Sequence, residues 1–329
     1  MINAINIGGW NVGNGAIVEW LDSIDQVARI QGEFNITRAP GGVLDLLAEQ
    51  DPERKKQLIK ALASQCDKGM LRGFKRKVRG LFFKRKRDLE YKNLYEFHRG
   101  LKTTLLEHQA LLKSKASFDE FDLWRKWLAS LAELYPSDQE SKVLLFQNPF
   151  FYDETFDLHS KVWPELFNPY KLIFVHRDPL DQWSDIVTKK EHLMTRSTIT
   201  GSRPFKGTEE MHPADRFLHI AKNNYLARLR MAKEYTRESL IVFSFEDFIN
   251  SHDFVARELL NFLDVEQSPR KQSSFDLSVS RKNIGIGKNN AEALQLLEGK
   301  DYVLEELYDL RDKLINTEQS IVQKRFKNI

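Results

Sequence analysis

In Lys171-Leu172-Ile173-Phe174-Val175-His176-Arg177-Asp178-Pro179-Leu180-Asp181-Gln182-Trp183-Ser184, a short apolar run ends in an arginine, and a proline follows two residues later. Runs of four to six aliphatic and aromatic residues suit a strand covered on both faces. Proline fits the first turn of a helix, where its missing N–H is no loss. The segment therefore reads as a buried strand, an arginine at its mouth, and a helix running back. Two further runs, Val143 to Phe146 and Leu240 to Phe245, have the same character. Helical segments are expected around Leu158 to Phe167 and over residues 213 to 236. Alternating strand and helix predicts an α/β fold with a central parallel sheet and helices on both faces.

The amino-terminal residues fit this frame. Isoleucines at 2, 5 and 7 mark a short strand that runs into Gly8-Gly9-Trp10-Asn11-Val12-Gly13-Asn14-Gly15. The run Ala16-Ile17-Val18-Glu19-Trp20-Leu21 then has helical spacing. A glycine-rich turn from strand to helix exposes backbone N–H groups at the positive end of a helix dipole. Such a turn is a candidate phosphate cradle, although the same composition also serves as a plain tight turn. No Gly-Lys-Ser or Gly-Lys-Thr ends it, so it is not a Walker A loop. Arg177 is a second anion position in the same crevice, because ligands of open α/β sheets gather at the carboxyl ends of the strands. A guanidinium there can fork onto two phosphate oxygens, with a helix serine such as Ser184 adding a contact. The alternative is an Arg177-Asp178 pair that caps the strand. A further strand is expected at Val27 to Ile30, continuing as Gly32-Glu33-Phe34.

With 329 residues, of which 41% are hydrophobic, the chain can fill a substantial core, and we read 1–329 as one domain. Residues 53–135 show mainly helical periodicity and read as a helical insertion within it. Fifty basic and 47 acidic side chains leave a net charge of +3, so any anion site has to be local. The single cysteine, Cys66, excludes an intrachain disulfide framework and a cysteine-rich metal site. There is no basic segment leading into an apolar one at the amino terminus, and no stretch approaches the roughly 18 apolar residues of a membrane span. These features predict a cytoplasmic protein with no zinc knuckle.

Four segments resemble the sulfotransferase family in the family's own order. Lys171 to Ser184 is similar to its 3′-phosphate-binding segment, and Gly8 to Leu21 to its 5′-phosphosulfate loop. Ile241-Val242-Phe243-Ser244-Phe245-Glu246-Asp247-Phe248 is similar to its late strand and the turn after it. Arg281-Lys282-Asn283-Ile284-Gly285-Ile286-Gly287-Lys288-Asn289 is similar to its Arg-Lys-Gly tail. The resemblance implies a P-loop-like sulfotransferase fold and 3′-phosphoadenosine 5′-phosphosulfate (PAPS) as co-substrate. The donor would be held by Gly9, Trp10, Asn11, Val12, Gly13, Asn14 and Gly15 at one end and by Arg177, Ser184, Arg281 and Lys282 at the other. Trp10 is the nearest aromatic ring for the adenine.

The departures from the family pattern are specific. Asn11 to Gly15 replace a loop that normally carries Lys or Arg before Ser-Gly-Thr-Thr. A charge-assisted hydrogen bond from that cation is worth roughly 1.5–3 kcal/mol. Arg38, Lys282 and Lys288 are the candidate replacements. Ser184 stands seven residues after Arg177, and Asp185 takes the eighth place, where the family commonly has serine. Asn283 stands where glycine is usual.

Sulfuryl transfer needs in-line geometry, neutralisation of the leaving phosphate and a base for the acceptor hydroxyl, and no metal is obligatory for it. The family's frequent histidine after the middle strand is replaced by Gln147-Asn148-Pro149. Some family members use a glutamate in the window where Glu33 falls, so Glu33 is the expected base, with His159 and His176 as alternatives. The basic run 72–87 interleaves cations with Phe74, Leu81, Phe82 and Phe83. It suits an anionic polymer or a membrane surface, or is simply a solvated face, and its place in the insertion points to a glycan or lipid-linked glycan acceptor. Three rival readings stay open: a non-catalytic binding protein of this fold, a nucleic-acid-binding protein using 72–87, and a nucleotide kinase, which the missing Walker lysine disfavours.

Overall fold

The computed structural model describes residues 1–8, 10–30, 34–82, 93–114, 117–135, 141–149, 156–193, 207–208, 210–266 and 275–321, with side chains at 76–82 set aside. Five strands, β1 (Ile2–Gly8), β2 (Val27–Arg29), β3 (Val143–Gln147), β4 (Tyr170–His176) and β5 (Leu240–Ser244), form one sheet in the order β2-β3-β1-β4-β5. Every pairing is parallel. The expected parallel α/β architecture is the one present. The second strand is shorter than expected, ending at Arg29, and residues 31–33 lie outside the described ones.

Helices cover both faces, and strand alternation divides the core in two. Ile5, Ile7, Leu144, Phe146, Leu172, Phe174, Leu240 and Val242 join one apolar cluster. Ala4, Val143, Leu145, Ile173, Val175, Ile241 and Phe243 join the other. Burying each such side chain contributes about 1.5–3 kcal/mol, which outweighs the polar residues of β1. Asn3 is accommodated because its Nδ2 donates to the Phe167 carbonyl at 2.7 Å.

The middle of the chain holds helices Pro52–Phe82, Leu94–Ser114 and Glu120–Leu134. Leu101, Leu105, Trp124, Trp127, Leu128 and Leu131 enter the first cluster, and Trp127 stacks on Phe34 at 6.0 Å. The region Leu158 to Phe167 forms two short helices, Phe156–His159 and Trp163–Phe167. Helix Pro213–Glu234 precedes β5, and a carboxy-terminal helix, Asp301–Ile315, packs along it. No helix among the described residues is long and apolar enough to cross a membrane. In the basic run, Arg72, Phe74 and Lys75 are exposed on helix Pro52–Phe82. The run's remaining side chains lie outside the described ones.

Strand order puts β1 at the centre, where the connections change direction. This is the switch point at which open α/β sheets form their crevice. The carboxyl end of β1 is therefore the place to look for a site.

Candidate functional site

Gly8 at the end of β1 pairs with Val175 of β4, so register alone brings the turn after β1 to the same sheet edge as Arg177. Gly9 lies outside the described residues. Asn11 (φ 54°) and Gly13 (φ 87°) are both left-handed and fold the turn back into helix Asn14–Leu21. The Val12 side chain is buried in the second cluster and anchors the turn from below. Asn14 donates through Nδ2 to Asn148 Oδ1 at 3.2 Å, and the Gly8 N–H meets the same oxygen at 3.0 Å. A Cβ on Gly8 would fall 2.1 Å from Asn14 Nδ2, so this closure needs glycine.

Helix Asn14–Leu21 begins without a side-chain cap and with no acidic residue in its first turn. Around Gly15 there is open space. N–H groups at a helix start without a side-chain cap favour an anion, and the space beside Gly15 leaves this start open on that side. The turn supplies no cation of its own. Lys189 supplies one from the end of helix Pro179–Thr188, its Nζ 3.1 Å from Asn11 Oδ1. Glu191 braces the other side, accepting from Trp10 Nε1 at 2.5 Å and from Asn11 Nδ2 at 2.6 Å. Trp10 is half-buried against the core, and its carbonyl accepts from Gln182 Nε2.

Arg177 is only 2% exposed and lies with its guanidinium carbon 5.3 Å from the centre of the Phe245 ring. Nη1 donates to the Asn11 carbonyl at 3.2 Å and to Asp185 Oδ2 at 2.7 Å, and Nη2 to the Asn283 carbonyl at 2.5 Å. One side chain thus meets the turn, the helix and the tail. Ser184 does not join them: it is 1% exposed and its Oγ accepts from Asn290 Nδ2 at 2.8 Å. The residue on the Arg177 side of that helix is Asp185, held also by Lys189 at 3.3 Å.

The tail is docked by a carboxylate. Asp181, 3% exposed, accepts from Gly285 N at 2.6 Å and Gly287 N at 2.8 Å. Arg281 and Lys282, at the end of helix Leu277–Arg281, are exposed, and it is the backbone of Asn283 that reaches Arg177. Lys288 lines a cavity of about 220 Å³ with Asp178, Asp181, Glu246, Gly285, Tyr308 and Arg311. Arg38 is buried, its Nε donating to Asn35 Oδ1 at 2.7 Å. Among the described residues Lys189 therefore joins Arg177 against the turn, and its place in the sequence gave no local sign of that.

Glu33 lies outside the described residues. His159 is 1% exposed, and its Nε2 stands 2.8 Å from Asp45 Oδ1, a carboxylate that also accepts from Gly41 N at 2.6 Å. That arrangement orients the ring. His176 is a buried residue of β4, kept neutral because burial, then Arg311 and Arg228, hold its pKa well below the usual imidazole value. Among the described residues no cluster of His, Cys, Asp or Glu is placed to hold a metal ion.

No family model and no curated protein matches this chain. Among solved structures it is similar to the sulfotransferase domain of the Synechococcus PCC 7002 olefin synthase. There the TM-score is 0.45 and the identity 15%, over 92% of this chain and 94% of that one. It is also similar to the sulfotransferase STF9 from Mycobacterium avium, with a TM-score of 0.38 and 13% identity over 85% of this chain and 67% of that one. Likeness at this level carries nothing about chemistry.

Proposed function

We propose that this chain is a sulfotransferase, moving a sulfuryl group from a nucleoside 5′-phosphosulfate to a hydroxyl. The observation that carries the reading is the reach of Arg177, which bonds the Asn11 carbonyl of the turn at 3.2 Å and the Asn283 carbonyl of the tail at 2.5 Å. Segments far apart in sequence, each resembling a donor-binding part of that family, meet at one guanidinium.

In this reading the 5′-phosphate lies over the turn from Gly9 to Gly15 and the start of helix Asn14–Leu21, with Lys189 neutralising the leaving charge. During transfer the bond from sulfur to the bridging oxygen of the 5′-phosphate breaks. A sulfur–oxygen bond to the acceptor forms, the acceptor proton passes to a base, and the nucleotide leaves with a free phosphate. Glu33 is the proposed base. A carboxylate of ordinary pKa, about 4.3, can accept that proton only as the transition state makes the hydroxyl acidic. His159, oriented by Asp45, is the alternative. The acceptor we favour is a glycan or lipid-linked glycan, gripped by the basic run 72–87, which could also contact an anionic membrane surface. The resemblance implies PAPS as the donor, and Asp185 faces the guanidinium that would hold its 3′-phosphate.

The test is transfer of labelled sulfate from PAPS and from adenosine 5′-phosphosulfate to a panel of glycans and simple alcohols. Glu33→Gln should abolish transfer while nucleotide binding persists. Lys189→Ala should lower turnover by about one to two powers of ten, the worth of one charge-assisted contact to the leaving group. A protein that binds the nucleotides and transfers from neither is a binding protein. One that binds neither nucleotide is not a sulfotransferase.

A further inference from the structure

We propose that Asp185 decides which sulfated nucleotide the crevice accepts, favouring a nucleoside 5′-phosphosulfate with a free 3′-hydroxyl over its 3′-phosphorylated form. The choice arises only if the crevice holds the nucleotide proposed above.

Arg177 has the position of a phosphate ligand, but its two Nη groups are already engaged, and only its buried Nε lacks a partner among the described residues. Its Nη groups already serve three acceptors: Asp185 Oδ2 at 2.7 Å, the Asn11 carbonyl at 3.2 Å and the Asn283 carbonyl at 2.5 Å. The carboxylate at 2.7 Å supplies the negative charge that a phosphate would otherwise bring. Ser184, the hydroxyl that would line such a seat, faces Asn290 instead and is buried there. An incoming 3′-phosphate has either to expel Asp185 from both Arg177 and Lys189 or to stand beside it. The first loses two ion pairs, and the second sets like charges together beside a guanidinium that is only 2% exposed.

A ribose hydroxyl meets the opposite situation. Both cations approach Oδ2 of Asp185, and among the described residues no donor is seen at Oδ1, which can accept from a hydroxyl. Carboxylates select in this sense in dinucleotide-binding α/β folds, taking a ribose hydroxyl where an arginine would take a phosphate. Discrimination by a misplaced charge depends on the difference between two ligands, so it can be strong even when neither binds tightly.

The experiment is calorimetry on the full chain with adenosine 5′-phosphate and adenosine 3′,5′-bisphosphate, for the native protein, Asp185→Asn and Asp185→Ser. We expect the native protein to bind the monophosphate at least roughly tenfold tighter, the effect of one unfavourable charge contact. In either variant the ratio should shift toward the bisphosphate by tenfold or more. Thermal melts establish that each variant is folded, and the native comparison stands if one is not. Equal affinities, or tighter bisphosphate binding by the native protein, overturn the inference and leave the nucleotide reading in place. Binding of neither nucleotide to any of the three proteins overturns both.

Discussion

Gly13 rests directly on the ring of Phe245: a Cβ built on the glycine would fall 2.3 Å from Cδ2 of that ring. The same ring lies 5.3 Å beneath the Arg177 guanidinium, so the turn and the arginine share one floor. Phe245 opens the short helix after β5, which means that the geometry of the crevice is set in part from a strand at the far edge of the sheet. Gly13→Ala should therefore do two kinds of damage. The left-handed backbone at φ 87° costs a non-glycine residue about 1–3 kcal/mol, and the added methyl displaces the ring. Urea unfolding should show the stability loss, and calorimetry should show nucleotide binding lost by more than the change in stability explains.

Gly15 gives the matching control. Nothing lies within 4 Å of a Cβ built there, and the residue sits in the first turn of helix Asn14–Leu21. Gly15→Ala should leave the melting temperature unchanged or raise it slightly, since alanine is about 0.5–1 kcal/mol better than glycine in a helix. If an anion lies against the helix start, the methyl intrudes on it and affinity for adenosine 5′-phosphate should fall severalfold. Full affinity in this variant would move the anion away from the turn.

The sheet was largely legible because its strands announce themselves locally. Val143 to Phe146, Leu172 to Val175 and Leu240 to Phe245 are mainly apolar runs that suit burial on both faces. The central strand β1 is a weaker signal, since Asn3 and Asn6 interrupt it, and it is held in place by contacts 164 residues away in sequence, such as Asn3 to Phe167. The candidate site was legible only in outline. Arg177 and the glycine turn stand out by position in a strand–turn–helix pattern. Asp185 is visible in sequence as an aspartate in the eighth place after Arg177, but whether it faces the arginine depends on a helix angle, and Ser184 one residue earlier turns the other way. Lys189, Glu191 and Asn148 carry no local pattern, because each reaches the turn across more than 130 residues of chain.

Asp181 holds the tail through two backbone N–H groups, those of Gly285 and Gly287. A buried carboxylate that accepts two backbone hydrogen bonds is a strong local anchor, because the charge makes each bond stronger than a neutral one. Asp181→Asn keeps the shape but offers one oxygen in place of two, and should cost about 2 kcal/mol. The consequence should be confined at first to the tail. Amide exchange at residues 284–290 should accelerate by at least tenfold, while the amides of β1 and β4 stay protected. Loss of protection throughout the sheet would mean that the tail is part of the core rather than a clasp upon it.

His176 gives the protein a predictable response to acid. Its ring is 1% exposed at the end of β4, and burial, followed by the charges of Arg311 and Arg228, holds its pKa well below the usual value. The folded state therefore keeps the ring neutral at a pH where the unfolded chain, with a pKa of about 6.5, takes up a proton. Stability rises with pH wherever the unfolded state binds more protons. The contribution of His176 is present in full above about pH 6.5 and is lost progressively below it, toward the folded pKa. Glu246, which accepts from Arg311 Nη2 at 3.3 Å and whose pKa burial raises, works in the opposite sense, adding stability as pH falls through its folded pKa. The two effects are separated by substitution: His176→Asn keeps a hydrogen-bond acceptor for Arg311 Nε but cannot take up a proton in either state. Melts between pH 7.5 and 5.5 should show a steeper decline for the native protein than for this variant, and parallel curves would mean that protons reach His176 in the folded chain.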